Sequence, residues 1–240
     1  MHPERIVDDV MHEYSGAVPG ASVLVLRDGM PLVRRSFGYA DVDRHVAVTP
    51  ATNFRLASVT KQFTASAILL LAQDGKLSID DRIRKWLPSL PDTDDAITIR
   101  HLLTHTGGLI DYEDIMPDAD FDGVPDDLSR QLRDLDVLHL LEKERRLYFA
   151  PGTNYRYSNG GYSMLALIVE RASGKPFQEF LRERIFERLG MHNTLAYVRE
   201  GPAVPNRAYG HTRVDGHWQR ADHRSTILRN GMPRCTTTGC

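Results

Sequence analysis

Two stretches are apolar on nearly every helical face. The first runs from Phe63 through Ala65, Ala67, Ile68, Leu69, Leu70 and Leu71 to Ala72, with Gly75 placed to end it. The second runs from Gly160 to Ala172 and stops at Gly174. A helix without a polar face belongs in a core, and a glycine just past its end is the usual left-handed cap. A third helix, Pro176 to Leu189, is amphipathic, and Phe177, Phe180, Leu181, Ile185 and Leu189 are expected to face inward. Glu4 to Tyr14 carries an apolar stripe of Ile6, Val7, Val10 and Met11, and shorter helices are expected from Ser78 to Leu87, Thr98 to Thr104 and Leu135 to Glu144. Strand character is concentrated near the start. Ala21 to Leu26 and Pro31 to Tyr39 are β-rich and flank Arg27-Asp28-Gly29-Met30, whose Asp-Gly pair predicts a hairpin turn. One more hairpin is expected around Val214-Asp215-Gly216-His217. Asp111 to Arg133 is acidic, poor in large apolar residues, and reads as a surface loop.

Composition narrows the class without defining it. The 240 residues are 41% apolar and 26% charged with net charge −2, ordinary for a soluble globular protein of one large or two small domains. No basic block points to nucleic acid, and no apolar run is long enough to span a bilayer. The segment after Met1 lacks an apolar leader, which leads us to expect a cytoplasmic protein. Both cysteines, Cys235 and Cys240, fall in the last six residues, so no disulfide framework is expected.

The candidate chemistry sits where the first apolar helix begins. An extended run, Asn53 to Leu56, leads into Ser58, and Lys61 follows three places later. Residues so spaced share a helix face, so the hydroxyl and the amine can meet, near N–H groups that favour anionic oxygen. By itself the pair is better read as an N-cap serine and a solvated lysine. The second apolar helix is preceded by Tyr157-Ser158-Asn159. A tyrosine can act as a general base where cations favour its phenolate, and an asparagine can donate to a substrate carbonyl while accepting from a lysine. That triplet alone is better read as a packed tyrosine and an asparagine cap. Together the two motifs outline nucleophilic catalysis by an activated serine. Asp118-Ala-Asp120-Phe-Asp122-Gly123 imitates the start of a calcium loop, but position 12 is Ser129 and position 8 is Pro125, so a solvated acidic loop is expected. His211, His217 and His223 lack metal-ligand spacing and are expected at the surface.

Several ordered stretches carry a family resemblance. They are Gly38-Tyr-Ala-Asp41, Phe54-Arg-Leu-Ala-Ser58-Val-Thr-Lys61-Gln-Phe63, Leu77-Ser-Ile-Asp-Asp81, Ile99-Arg-His-Leu-Leu-Thr-His-Thr-Gly-Gly-Leu109 and Pro151-Gly-Thr-Asn-Tyr-Arg-Tyr157-Ser-Asn159-Gly-Gly-Tyr162. From about Pro19 to Tyr209 the chain resembles the serine β-lactamase and penicillin-recognising family, in the branch of class C β-lactamases, D-alanyl-D-alanine carboxypeptidases and related esterases. The resemblance implies an α/β part with an antiparallel sheet flanked by helices, plus a helical region. It divides the chain into 1–57 (helix and strands of the α/β part), 58–76 (nucleophile helix), 77–200 (helical region) and 201–240 (return to the α/β part). It implies Ser58 as acylated nucleophile, with its backbone N–H as half of an oxyanion hole. Lys61 would assist deprotonation, Tyr157 would be the base, and Asn159 would hold the substrate. Neither metal nor cofactor is implied. The partner would be a small ester, peptide or β-lactam, with no nucleic acid and no membrane. His105, inside the Leu-Leu-Thr-His-Thr segment, is expected to be a hydrogen-bonded structural residue. The family's third motif and later sheet strands have no counterpart, and Arg229 to Cys240 does not match. This leads us to expect a C-terminally truncated member, with a catalytically impaired or purely binding protein as the alternative function.

Overall fold

The structure, a computed structural model, describes residues 2–115, 132–198, 201 and 203–220. The calcium-loop imitation, His223, both cysteines and the 229–240 tail lie outside the described residues. Two compact units emerge, one from residues 2–55 and 203–220, the other from 56–115, 132–198 and 201.

The first unit is strand-rich. Helix α1 (Pro3–Val10) packs on strand β2 (Met30–Phe37), which pairs antiparallel with β1 (Ala21–Arg27). Arg35 on β2 reaches Glu4 and Asp8 of α1 at 3.4 Å each. Asp28 (φ +51°) and Gly29 (φ +76°) form the turn, both left-handed as a type I′ hairpin requires. The stripe expected on α1 is only partly covered, since Val7 and Met11 are half-buried while Ile6 and Val10 are exposed. Strands β3 (Tyr39–Asp41) and β4 (Val46–Ala47) pair next. The returning segment docks on them through Tyr209 N–H to Ala40 O and Ala208 N–H to Asn53 O, both 2.8 Å. It ends in the expected hairpin, β5 (His211–Val214) with β6 (His217–Arg220). His211 is not a plain surface residue, because its Nε2 accepts the Val42 N–H at 3.1 Å.

The second unit is helical. Helix α2 (Lys61–Gln73) leads to α3 (Ile83–Trp86), α4 (Ile99–Leu103), α5 (Tyr112–Ile115), α6 (Asp134–Leu141), α7 (Asn159–Ser173) and α8 (Phe177–Leu181). α7 is the hub: α2, α3, α4, α6 and α8 all pack on it, and Gly160 through Val169 is buried along its length. Its glycine end is as expected, with Gly174 left-handed at φ +70°. Among the described residues no helix is long and apolar enough to cross a membrane.

Two expectations are corrected here. Leu189 is 68% exposed, and Phe186 takes the buried place instead. The cause is a π-helical turn over Arg182–Phe186, whose wider hydrogen-bond ring rotates everything after it out of the α-helical register. Asp111 and Tyr112 do not belong to a surface loop. Both are buried, Tyr112 sits in the main core cluster, and α5 begins there. The acidic composition of the stretch masks one aromatic anchor, Tyr112.

Asp94 shows a cost carried by this core. It is 2% exposed, and its carboxyl accepts from Thr93 Oγ1 at 3.4 Å. Burial pushes its pKa from 3.8 up to about 6, against the pull of Thr93, Arg84 and Arg145. The folded chain therefore holds this proton more tightly than the unfolded one. The stability gained is full below pH about 4 and is lost as pH rises through about 6. Asp94→Asn is expected to match the parent at pH 4 and exceed it above pH 7 by up to about 3 kcal/mol. Melting curves from pH 4 to 8 test this, and parallel curves for the two proteins would refute it.

Candidate active site

The sequence-predicted residues all lie in the helical unit. Ser58 occupies a 3-10 turn, Ala57–Thr60, that runs directly into α2, so Lys61 becomes the first residue of the α-helix. Ala57 stands at φ +46°, a left-handed conformation that costs a non-glycine residue on the order of 1 kcal/mol. This kink turns the chain sharply and leaves Ser58 exposed at its crest, while Lys61 is only 7% exposed.

Lys61 Nζ donates to Asn159 Oδ1 at 2.7 Å and to Ser58 Oγ at 3.4 Å. Tyr157 OH lies 2.7 Å from Ser58 Oγ. Lys61 Nζ also sits 4.7 Å from the Tyr157 ring centroid and 5.4 Å from that of Tyr162, within the range of cation–π attraction. Lys61 and Tyr157, from parts of the chain about a hundred residues apart, thus meet at the Ser58 hydroxyl, with Asn159 held behind Lys61. They arrive there because α2 and α7 pack together with the start of each helix at the same end.

The Tyr157–Asn159 segment is fixed by groups that sequence reading did not assign. Ser158 caps α7, its Oγ accepting the Gly161 N–H at 2.9 Å. Asp111 Oδ2 accepts the Asn159 N–H at 2.7 Å and lies 3.5 Å from the Gly160 nitrogen. Burial raises the Asp111 pKa, and the backbone donors, first that of Asn159, oppose the rise. Asn159 Nδ2 donates to Glu113 Oε1 at 3.1 Å. With Lys61 on its oxygen and Glu113 on its nitrogen, the amide can face only one way. The loop after α4 lies antiparallel to the segment before Tyr157. Tyr148 N–H donates to Gly108 O and Gly152 N–H to Thr106 O, both at 2.8 Å. Gly108 is left-handed, and a Cβ there would stand 2.1 Å from Phe149 O, so the approach needs glycine. Asp111, Glu113 and Ala57 carried no sequence signal of their own. The nearest available one was the adjacency of Asp111 to a buried aromatic.

A mixed fold with a helical unit, and a serine–lysine–tyrosine cluster where its two central helices begin, define a protein of the β-lactamase/transpeptidase-like class. The chain belongs to the Beta-lactamase family, whose model matches residues 4–231. It is 35% identical over 202 residues to penicillin-binding protein 4* of Bacillus subtilis (strain 168), covering 83% of this chain and 42% of that protein. It is 34% identical over 193 residues to a D-aminopeptidase of Gluconobacter oxydans (strain 621H), covering 80% of this chain and 35% of the other. Among solved structures it resembles EstCE1, described as a hydrolase with promiscuous acyltransferase activity. The TM-score is 0.76 at 28% identity, over 96% of this chain and 62% of EstCE1. The chain thus spans less than half the length of these two sequence relatives.

Proposed function

We propose that the chain is a serine hydrolase that works through an acyl-enzyme on an ester, peptide amide or β-lactam. The observation that carries this reading is the 2.7 Å contact of Tyr157 OH with Ser58 Oγ, beside Lys61 Nζ at 3.4 Å. A nucleophile within hydrogen-bond reach of its base, with a cation alongside, is the arrangement that activates a hydroxyl. In this mechanism Tyr157, as phenolate, takes the Ser58 proton while Oγ bonds to the substrate carbonyl carbon. The positive charge of Lys61 offsets the charge passing between the two oxygens. Collapse of the tetrahedral species breaks the bond to the leaving group, which receives the proton from Tyr157. Water then attacks the acyl carbon and gives its proton to Tyr157, and Tyr157 passes that proton to Ser58 Oγ as its bond to the acyl group breaks. Asn159 Nδ2 has a second hydrogen for the substrate carbonyl, its first being given to Glu113. The Ser58 N–H is one donor to the developing oxyanion. The penicillin-binding and D-aminopeptidase relatives, and the acyltransferase activity described for EstCE1, support the acyl-transfer class.

Intact mass after incubation with a fluorophosphonate, and separately with a penicillin, tests the reading. One phosphonyl adduct per chain is expected, mapped to Ser58 by peptide sequencing. A penicilloyl adduct would add β-lactam recognition. An adduct elsewhere, or none, would overturn the proposal. Labelling without turnover of a p-nitrophenyl ester would support the alternative, an impaired or binding member of the fold.

A further inference from the structure

We infer that His105 is a positioning residue for Tyr157, gripping the residues on both sides of the tyrosine while its ring backs the phenol. The inference rests on the acyl-transfer reading for its kinetic consequence, but its geometry stands separately. Tyr157 is 43% exposed and lies in a segment that belongs to no helix or ladder. A catalytic group so placed needs an external hold, because displacement of about 1 Å costs as much as about 10²-fold in rate. Asp111 and Lys61 hold the Asn159 end of the segment, and the two residues flanking the tyrosine are held by the side chain and the carbonyl of one residue. His105 Nδ1 accepts the Ser158 N–H at 3.2 Å, and His105 O accepts the Arg156 N–H at 3.0 Å. The imidazole lies 4.6 Å from the Tyr157 ring, centroid to centroid, with the planes tilted by 36°. It meets Tyr162 at 5.0 Å and, nearly at right angles, Tyr155 at 6.0 Å. Tyr162 is itself anchored by its hydroxyl donating to Leu103 O at 3.0 Å. The tyrosine therefore rests on a stack that ends in the core.

Two further features favour positioning over plain packing. An Nδ1 that accepts must be unprotonated, so the neutral ring carries its proton on Nε2. Burial, aided by the nearby charge of Lys61, pushes the His105 pKa down to about 4, so the acceptor persists at neutral pH. The His105 backbone is also left-handed, φ +59°, a conformation that only glycine adopts freely and that asparagine tolerates best among the rest. The strained backbone is what lets one residue present its carbonyl to 156 and its ring to 157 and 158.

The substitutions separate these contributions. His105→Asn keeps the left-handed tolerance and places an amide oxygen near the Nδ1 position, but removes the ring. His105→Gly keeps only the backbone. In the full chain, the phosphonylation rate of Ser58 at saturating reagent is expected to fall about 10–100-fold in His105→Gly and to recover partly in His105→Asn. Half-saturating concentration should change less than twofold (on the order of the scatter for an untouched ground state). A merely structural histidine would instead lower the melting temperature and leave the labelling rate of the folded fraction unchanged, and that result would overturn the inference. A second readout does not depend on activity. With 15N-histidine and 13C-tyrosine labels, His105 at pH 7 should show the Nε2–H tautomer, and the Tyr157 ring signals should shift in His105→Gly. The opposite tautomer, or unmoved Tyr157 signals, would overturn it even if the parent chain is not labelled. Failure of the parent to label, with both spectroscopic results as expected, would discard the hydrolase reading and leave His105 as the holder of Tyr157.

Discussion

Ser58→Ala is expected to abolish covalent labelling while leaving the fold untouched. The hydroxyl is the atom on which Tyr157 and Lys61 converge, so its removal takes away the proposed nucleophile and the target of both partners. In a serine protease with a Ser-His-Asp triad, losing the nucleophile costs on the order of 10⁶ in kcat. The effect on stability should be small, within about 0.5 kcal/mol, because Ser58 is exposed and contributes no apolar burial. Lys61→Ala and Tyr157→Phe should each remove most of the rate, and the double variant little more, since groups acting as a unit are not additive. Labelling rates by intact mass, with thermal melts as control, check all four proteins. Undiminished labelling of Ser58→Ala would place the nucleophile elsewhere.

Asn159→Ala should damage both activity and fold. Asn159 is buried, and its Oδ1 is the shortest contact of the buried Lys61 amine, 2.7 Å against 3.4 Å to Ser58. Truncation leaves a buried cation with the longer contact, a loss of about 1.5–3 kcal/mol for a hydrogen bond to a charged group. For a chain of this size that corresponds to a drop of roughly 3–12 °C in melting temperature. The phosphonylation rate should fall about 10²–10³-fold, because Lys61 is released from its place beside Ser58 and the proposed donor to the substrate oxygen is gone. An unchanged melt would show that Lys61 finds another acceptor at no cost. Bond strength alone does not decide the outcome; what matters is that the same amide serves α2 and α7 at once.

The difference between what could and could not be read from sequence follows the range of the forces involved. Asp28-Gly29 announced its hairpin because a type I′ turn is a local requirement on two residues. The Ser58–Lys61 spacing was legible for the same reason, as a helix brings such a pair together without help. Asn159 and Tyr157 stood out only as a second motif, since nothing local tells a tyrosine that its partner lies 99 residues away. Asp111 was missed because its role is tertiary: it caps a helix that starts 48 residues later. Leu189 was misplaced by one inserted residue's worth of rotation, and no propensity marks where a π-helical turn will fall.

The left-handed backbones at Ala57 and His105 also bear on how this sequence can change over generations. At Ala57 glycine removes strain but gains freedom in the unfolded chain, and the strain outweighs that freedom. Folding therefore does not oppose drift to glycine there, and the need to aim Ser58 does. At His105 glycine would also strip the acceptor of the Ser158 N–H and the ring against Tyr162. In a lineage that performs acyl transfer, position 57 should resist glycine. In one that keeps the fold for another purpose, it should wander. The residue at 57 in a set of homologues thus records whether the chemistry is under selection, independently of whether Ser58 itself survives.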